Sequence, residues 1–252
     1  GFTYNGPGIA VLGTNGAQLA SGESAGIQKG TDFGSFTIGG APKTNVFSVT
    51  NGGNAVLAVS GVTTNGPGAR SFRLQSSLPD IAPGGVASIS TVFSPVVAGV
   101  QTAALVFANN SGVPAYVLNL KATVSKLTQA ITFSAISAQN PTNKVTLSAT
   151  ASSGLPVSFS VASGPGSIAS GVLSFSNTGI VRVVASQAGN AAYAAAVPVT
   201  NTVTVNKSAQ AITFPAIPAR DEDDIVALSA TASSGLPVSF SVASGPGIIT
   251  AG

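Results

Sequence analysis

Residues 147–166 recur, unchanged at all twenty positions, as residues 228–247. Gln129-Ala-Ile-Thr-Phe133 returns as Gln210-Ala-Ile-Thr-Phe214, and both matches give one offset, 81 residues. A unit that returns at a fixed spacing is one supersecondary block built more than once, and its sequence must satisfy the same fold each time. The repeat predicts three parts: a separate domain over 1–125, one complete unit over 126–207, and an incomplete second copy over 208–252.

Inside the complete unit the apolar period is two. Ile131 and Phe133 flank Thr132, Val145, Leu147, Ala149 and Ala151 alternate with Thr and Ser, and Val157, Phe159 and Val161 alternate with Ser158 and Ser160. Further runs lie at 172–175, 180–184 and 199–205. Such alternation marks strands with one face in a core and the other in water. Ser153-Gly-Leu-Pro156, Ser163-Gly-Pro-Gly166, Asn177-Thr-Gly179 and Gly189-Asn190 supply turns between them. Six or seven short strands in about 80 residues, with no helical window, predict a small sandwich. Residues 1–125 read alike, with strands at 87–93, 101–108 and 116–124, another running into a turn over 47–54, and one that begins on Val56, Ala58 and Ser60. The expected fold class is therefore all-β, a tandem of immunoglobulin-like β-sandwich domains. The link at 124–128 is short, which predicts a stiff junction and sandwiches placed end to end.

Composition agrees with exposed strand faces and narrows the function. Charged residues are 7% of the chain, against about 25% in an ordinary soluble domain. The polar surface must be made of Ser, Thr, Asn, Gln and Gly, which strands accept more readily than helices do. The net charge is +3 and the pI about 9.5, but the ten cations are scattered singly. Nucleic-acid binding needs a cationic patch, and none is visible. Pro and Gly interrupt the long uncharged stretches, so no membrane span is expected in this segment. A chain with no Met is expected to be a processed or partial product, and its lack of Cys suits a secreted, extracellular or cell-surface location.

Two resemblances follow from particular residues. Gly30-Thr-Asp-Phe-Gly34, Phe47-Ser-Val-Thr-Asn-Gly-Gly-Asn-Ala-Val-Leu57, Ile81-Ala-Pro-Gly-Gly85, Val92-Phe-Ser-Pro95 and Ala108-Asn-Asn110 resemble the Hydin/ASPM-type immunoglobulin-like domains called choice-of-anchor D in bacterial surface proteins. The 81-residue unit resembles the tandem bacterial Ig-like repeats of large secreted proteins, through Gln129–Phe133, the Ser-Gly-Leu-Pro block and Gln187-Ala-Gly-Asn-Ala-Ala-Tyr193. The resemblance implies an extracellular, non-catalytic module and brings no catalytic residue with it.

Chemistry is sparse. Without His or Cys there is no Ser-His-Asp triad, no Cys nucleophile and no common zinc site. The seven carboxylates include Glu23, Asp32 and Asp80, from which a glycosidase pair would have to be drawn. Asp32 reads better as a turn cap. The complete repeat has no carboxylate at all, so it lacks charged ligands for calcium. Asp221, Glu222, Asp223 and Asp224 are the one acidic cluster, a candidate calcium site at a domain junction, with a solvated loop as the alternative. Apart from that candidate no cofactor is expected. Tyr4, Tyr116 and Tyr193 read as core or domain-end residues before sugar-stacking platforms, and sequons occur at Asn109 and Asn206.

The expected function is that of an extracellular structural protein, a stalk or filament subunit at a microbial surface, with no catalysis. The alternative is an adhesin that grips a glycan or a host or neighbour-cell protein through domain-end loops. The half copy would leave Ile212, Phe214, Val226, Leu228, Val238 and Phe240 for burial against another subunit or another domain. The expected partners are thus other copies in a filament, or further Ig-like repeats of the same chain.

Overall fold

The protein is described by a computed structural model over residues 5–113 and 115–250. Its strands up to the link are β1 (Ile9–Leu12), β2 (Gln18–Leu19), β3 (Asp32–Thr37), β4 (Lys43–Asn51), β5 (Val59–Asn65), β6 (Phe72–Leu74), β7 (Val86–Phe93), β8 (Gly99–Asn109) and β9 (Ala115–Ser125). After the link come β10 (Ile131–Thr132), β11 (Lys144–Thr146), β12 (Thr150–Ala151), β13 (Ser158–Ser163), β14 (Gly166–Ala169) and β15 (Val172–Phe175). The last are β16 (Gly179–Ser186), β17 (Val199–Val205), β18 (Ile212–Thr213) and β19 (Thr231–Ala232). One 3-10 turn, Ala69–Ser71, is the only helical segment among the described residues, so the fold is all-β.

The chain divides into two compact units. The first takes the chain up to Thr132 together with 149–158 and 186–199; the second takes 133–148, 159–185 and the chain from Thr200 onward.

The first unit contains a two-sheet sandwich. One sheet has the order β2-β1-β4-β7-β6 and the other β3-β9-β8-β5. β3 runs parallel to β9, while β1, β4, β7 and β6 pair antiparallel. Four strands of each sheet match the immunoglobulin plan, with the first strand split so that β1 joins one sheet and β3 the other. Alternation sets the inward faces. Asn45, Phe47, Val49 and Asn51 of β4, Gln101, Ala103, Leu105 and Phe107 of β8, and Tyr116, Leu118, Leu120, Ala122 and Val124 of β9 are buried. Phe33, Phe72 and Phe93 meet at ring separations of 4.9–6.0 Å at the centre of this core. The strand expected to begin on Val56, Ala58 and Ser60 has the other parity. Leu57 is wholly buried and pairs with Ile81, while Val56 faces solvent. The bridge to Ile81 sets this phase, and nothing adjacent in sequence reveals it.

The link beyond β9 is held by hydrogen bonds to backbone carbonyls within the same unit. Leu127 N donates to Ala192 O (2.8 Å), Ala194 N to Leu127 O (2.8 Å), and Lys126 Nζ to Asn190 O (2.6 Å). β10 pairs antiparallel with β12, Ile131 opposite Ala151.

In the second unit, β15 lies between β11 and β14, and β16 between β13 and β17. Gln139 pairs in parallel with Val205. Leu173, Val181, Val183, Ala185, Val203 and Val205 are buried, all on β15, β16 and β17. β14 is a strand the alternation does not predict, because it opens on Gly166, a residue that reads as part of a turn. Residues 208–250 belong to this unit and keep only β18 and β19, paired with each other.

Candidate functional site

The motifs that stand out in the sequence are consumed by the backbone. Asn51, buried, accepts at Oδ1 from Gly8 N (3.0 Å) and Gly53 N (3.0 Å), and donates from Nδ2 to Ala55 O (2.8 Å) and Ile81 O (2.9 Å). All of its capacity is spent fixing the turn that follows β4. Asp32 Oδ1 caps Gly34 N at 2.9 Å, and its Oδ2 meets Lys121 Nζ at 3.3 Å. Glu23 accepts from Ala20 N and from Lys29 Nζ, both at 2.9 Å; the Ala20 bond, then Lys29, holds its carboxyl below the usual carboxylate range. Asp80 is exposed. The three carboxylates are thus two ion-paired caps and one solvated side chain.

The Gln-Ala-Gly-Asn-x-x-Tyr block closes a loop on itself. Asn190 Oδ1 accepts from Ala192 N and Tyr193 N, and Gln187 Oε1 from Gly189 N and Gln129 Nε2. Gln129 Nε2 also donates to Ala194 O at 2.7 Å. Tyr193 is half-buried beside this loop. Tyr116 is buried, its hydroxyl donates to Leu19 O, and burial raises its pKa above the ordinary value. Tyr4 lies outside the described residues. At Asn109, Nδ2 donates to Phe107 O and Val113 O, so this sequon amide is engaged in its own turn.

The acidic loop is a solvated turn. Asp221, Glu222, Asp223 and Asp224 are all exposed. Asp224 N donates to Asp221 O at 3.2 Å, and Arg220 lies 3.9 Å from Asp224 across the same turn. Among the described residues no three acidic side chains gather in a way that would hold a metal ion.

What the structure leaves open is the half copy. Ile212 is 61% exposed and Phe214 49%, where their counterparts Ile131 and Phe133 are 8% and 9% exposed. Val226, Leu228, Val238 and Phe240 are half-buried, and no residue of 208–250 is fully buried. Phe214 and Phe240 still pack as a tilted pair at 5.5 Å, as Phe133 and Phe159 do at 5.3 Å. Fully burying each such side chain is worth about 1.5–3 kcal/mol, so this apolar surface is a strong candidate for covering.

No family model matches the chain, and no curated protein matches it. Among solved structures, a protein of unknown function from Porphyromonas gingivalis W83 is 21% identical with a TM-score of 0.32, covering 36% of this chain and 42% of its own. The VesB protease of Vibrio cholerae is 14% identical with a TM-score of 0.28, over 38% of this chain and 29% of its own. The D00-D0 domain of intimin is 18% identical with a TM-score of 0.26, over 66% of this chain and 94% of its own. The chain thus spans less than half the length of the first two. At these scores the fold is read from the strands themselves, which define a protein of tandem all-β, immunoglobulin-like sandwiches. No helix among the described residues is long and apolar enough to cross a membrane.

Proposed function

We propose that this chain is a structural module of a secreted or surface-anchored microbial protein, a stalk or filament subunit that performs no catalysis. Its parts are a choice-of-anchor-D-like sandwich over 1–125, a bacterial Ig-like repeat over 126–207, and a partial second copy over 208–252. The observation that carries this reading is how the polar motifs are used. Asn51, Asp32, Gln129, Gln187 and Asn190 all hold backbone in place, and the one counterpart of these in the second copy, Gln210, is bonded to Ser234 of its own turn. Repeat architectures of this sort gain length by adding neighbours.

Electron microscopy of the purified chain at high concentration tests the proposal. Extended rods a few nanometres wide, alone or joined end to end, are the expected particles. Compact globules would contradict it. Micromolar binding on a glycan array, lost when residues 221–224 are neutralised, would replace it with the adhesin reading.

A further inference from the structure

A chain without His, Cys or Met has little covalent chemistry left, but Asn followed by Gly is reactive on its own. Glycine has no Cβ, so its backbone nitrogen can reach the side-chain carbonyl carbon of the Asn before it. The pair occurs four times, at Asn5, Asn15, Asn51 and Asn65. Three of the four are held by hydrogen bonds. Asn51 is buried with both ends of its amide engaged, and Gly52 N donates to Gly8 O at 2.8 Å. At Asn15, Oδ1 accepts from Ala17 N at 3.0 Å and Gly16 N donates to Gly13 O at 2.9 Å. At Asn5, Oδ1 accepts from Asn54 Nδ2, and Gly6 is buried.

Asn65 differs at both reacting atoms. It closes β5 opposite Ala104, and it is exposed. Its amide makes one long contact, from Nδ2 to Thr63 Oγ1 at 3.4 Å, and Oδ1 accepts nothing among the described residues. Gly66 is exposed just past the end of the ladder, and its N donates no hydrogen bond among the described residues. The glycine itself is required. Its φ is 109°, and a Cβ there would lie 3.2 Å from Thr102 O and 3.3 Å from Ala103 Cα. Reactivity therefore comes with a glycine that the turn after β5 demands, beside an Asn that holds no backbone in place.

We propose that Asn65-Gly66 is a site of spontaneous covalent modification, an intramolecular deamidation that yields aspartate and isoaspartate at position 65. Gly66 N gives up its proton to base and attacks Asn65 Cγ. The new N–C bond closes a five-membered succinimide as the Cγ–Nδ2 bond breaks, and the nitrogen leaves as ammonia after regaining a proton. Water then opens the ring at either carbonyl, so the sequence needs no oxidant, metal or second protein. Either product adds a negative charge to a chain that has only seven acids. The charge falls in a recess also lined by Ser24, Thr102, Asn119 and Lys121. Isoaspartate further lengthens the main chain by one carbon, between β5 and the point where Gly68 N meets Thr102 O. The folded protein thus carries a mark of its own age on the first sandwich, whatever its role as a stalk or filament.

The test follows the side-chain amide signals of Asn51 and Asn65 by NMR while the whole chain stands in mildly alkaline buffer. The Asn65 signal is expected to vanish at least about 100-fold faster than that of Asn51, which must first break its buried hydrogen bonds. The rate should rise with pH, because the attacking nitrogen must lose its proton. Mass spectrometry with fragmentation should place a gain of about 1 Da, NH2 exchanged for OH, at residue 65, part of it as isoaspartate. Asn65→Gln should remove this loss and leave the unfolding midpoint unchanged. In denaturant the two Asn should decay at similar rates, since the fold no longer separates them. Equal persistence of both signals in the folded chain overturns the proposal. So does a preference for Asn65 that survives denaturation, which would assign the selectivity to local sequence alone.

Discussion

Residues 147–166 and 228–247 are the same twenty side chains in the same order, yet only the first stretch contributes to three sheets. What persists in both copies is local. Ile131 faces Ala151 as Ile212 faces Ala232. Ser153 Oγ donates to Gln129 Oε1 as Ser234 Oγ does to Gln210 Oε1, and Leu155 N and Leu236 N each turn back onto the preceding Ser. Gly154 and Gly235 adopt φ of 74° and 73°. What is lost depends on distant residues: β11, β13 and the burial of Ile212, Phe214 and Leu228. Turn chemistry is written in the block itself. Strand character in this block is conferred by strands that sit elsewhere in the chain.

The largest test of this contrast is a matched pair. Leu147 is buried and its twin Leu228 is not. Leu147→Ala is expected to destabilise the repeat by about 2–5 kcal/mol, while Leu228→Ala shifts no unfolding transition by more than a few tenths. Calorimetric unfolding of the two variants reads the difference, and equal losses would break the comparison.

A second pair separates backbone conformation from crowding. Gly164 and Gly245 both have φ of 96°, which costs a side chain about 1–2 kcal/mol. At Gly164 a Cβ would also collide with the Ile180 carbonyl; at Gly245 it would meet nothing. Gly164→Ala should therefore carry a further ~1–3 kcal/mol of overpacking, seen as a lower denaturant midpoint for the repeat. Gly245→Ala should leave that midpoint alone.

A third test separates the first sandwich from both copies. Burial raises the pKa of Tyr116, so the folded state favours its neutral form. The associated stability is fully present below the unfolded value near pH 10 and is lost as pH rises through the raised folded value. Alkaline titration should loosen this sandwich through Tyr116. Tyr116→Phe should remove that alkaline component while costing about 1–3 kcal/mol at neutral pH, because Leu19 O loses its donor. Unfolding followed at pH 7 and above pH 10 checks both arms.

The smallest effect concerns calcium. Millimolar Ca²⁺ should leave the amide shifts of 210–232 unchanged, because the four acids of 221–224 point into solvent around a turn. If calcium ordered this segment, the acidic loop would be the cause of the difference between the copies, since the first copy has Asn140-Pro-Thr-Asn143 there.

Much of the fold was legible because period-two alternation is a direct image of burial. β8 and β9 alternate buried and open along most of their length, and the inward set of each follows from its apolar residues. The phase at Leu57 was not legible, since it depends on the bridge to Ile81, 24 positions away. β14 was hidden because Gly166 and Ser167 look like turn and are strand only through Phe175 and Ser174 across from them. The apolar residues of the half copy could be named from the repeat alone, as residues that would need covering. Their loss of strand structure could not, because only the pairing seen in the first copy shows which partners they require. The acidic loop was conspicuous by composition, but a run of adjacent charges fixes neither their directions nor their convergence.

The most direct test of the central contrast is residue-resolved hydrogen exchange in the chain of 252 residues, comparing β13 with its identical counterpart at 239–244. NMR is the method, because the identical peptides have identical masses. If covering strands confer structure on this block, the amides of β13 exchange at least about 100-fold more slowly than those of 239–244. Equal protection at the two sites, at a concentration where the chain is monomeric, would contradict the account.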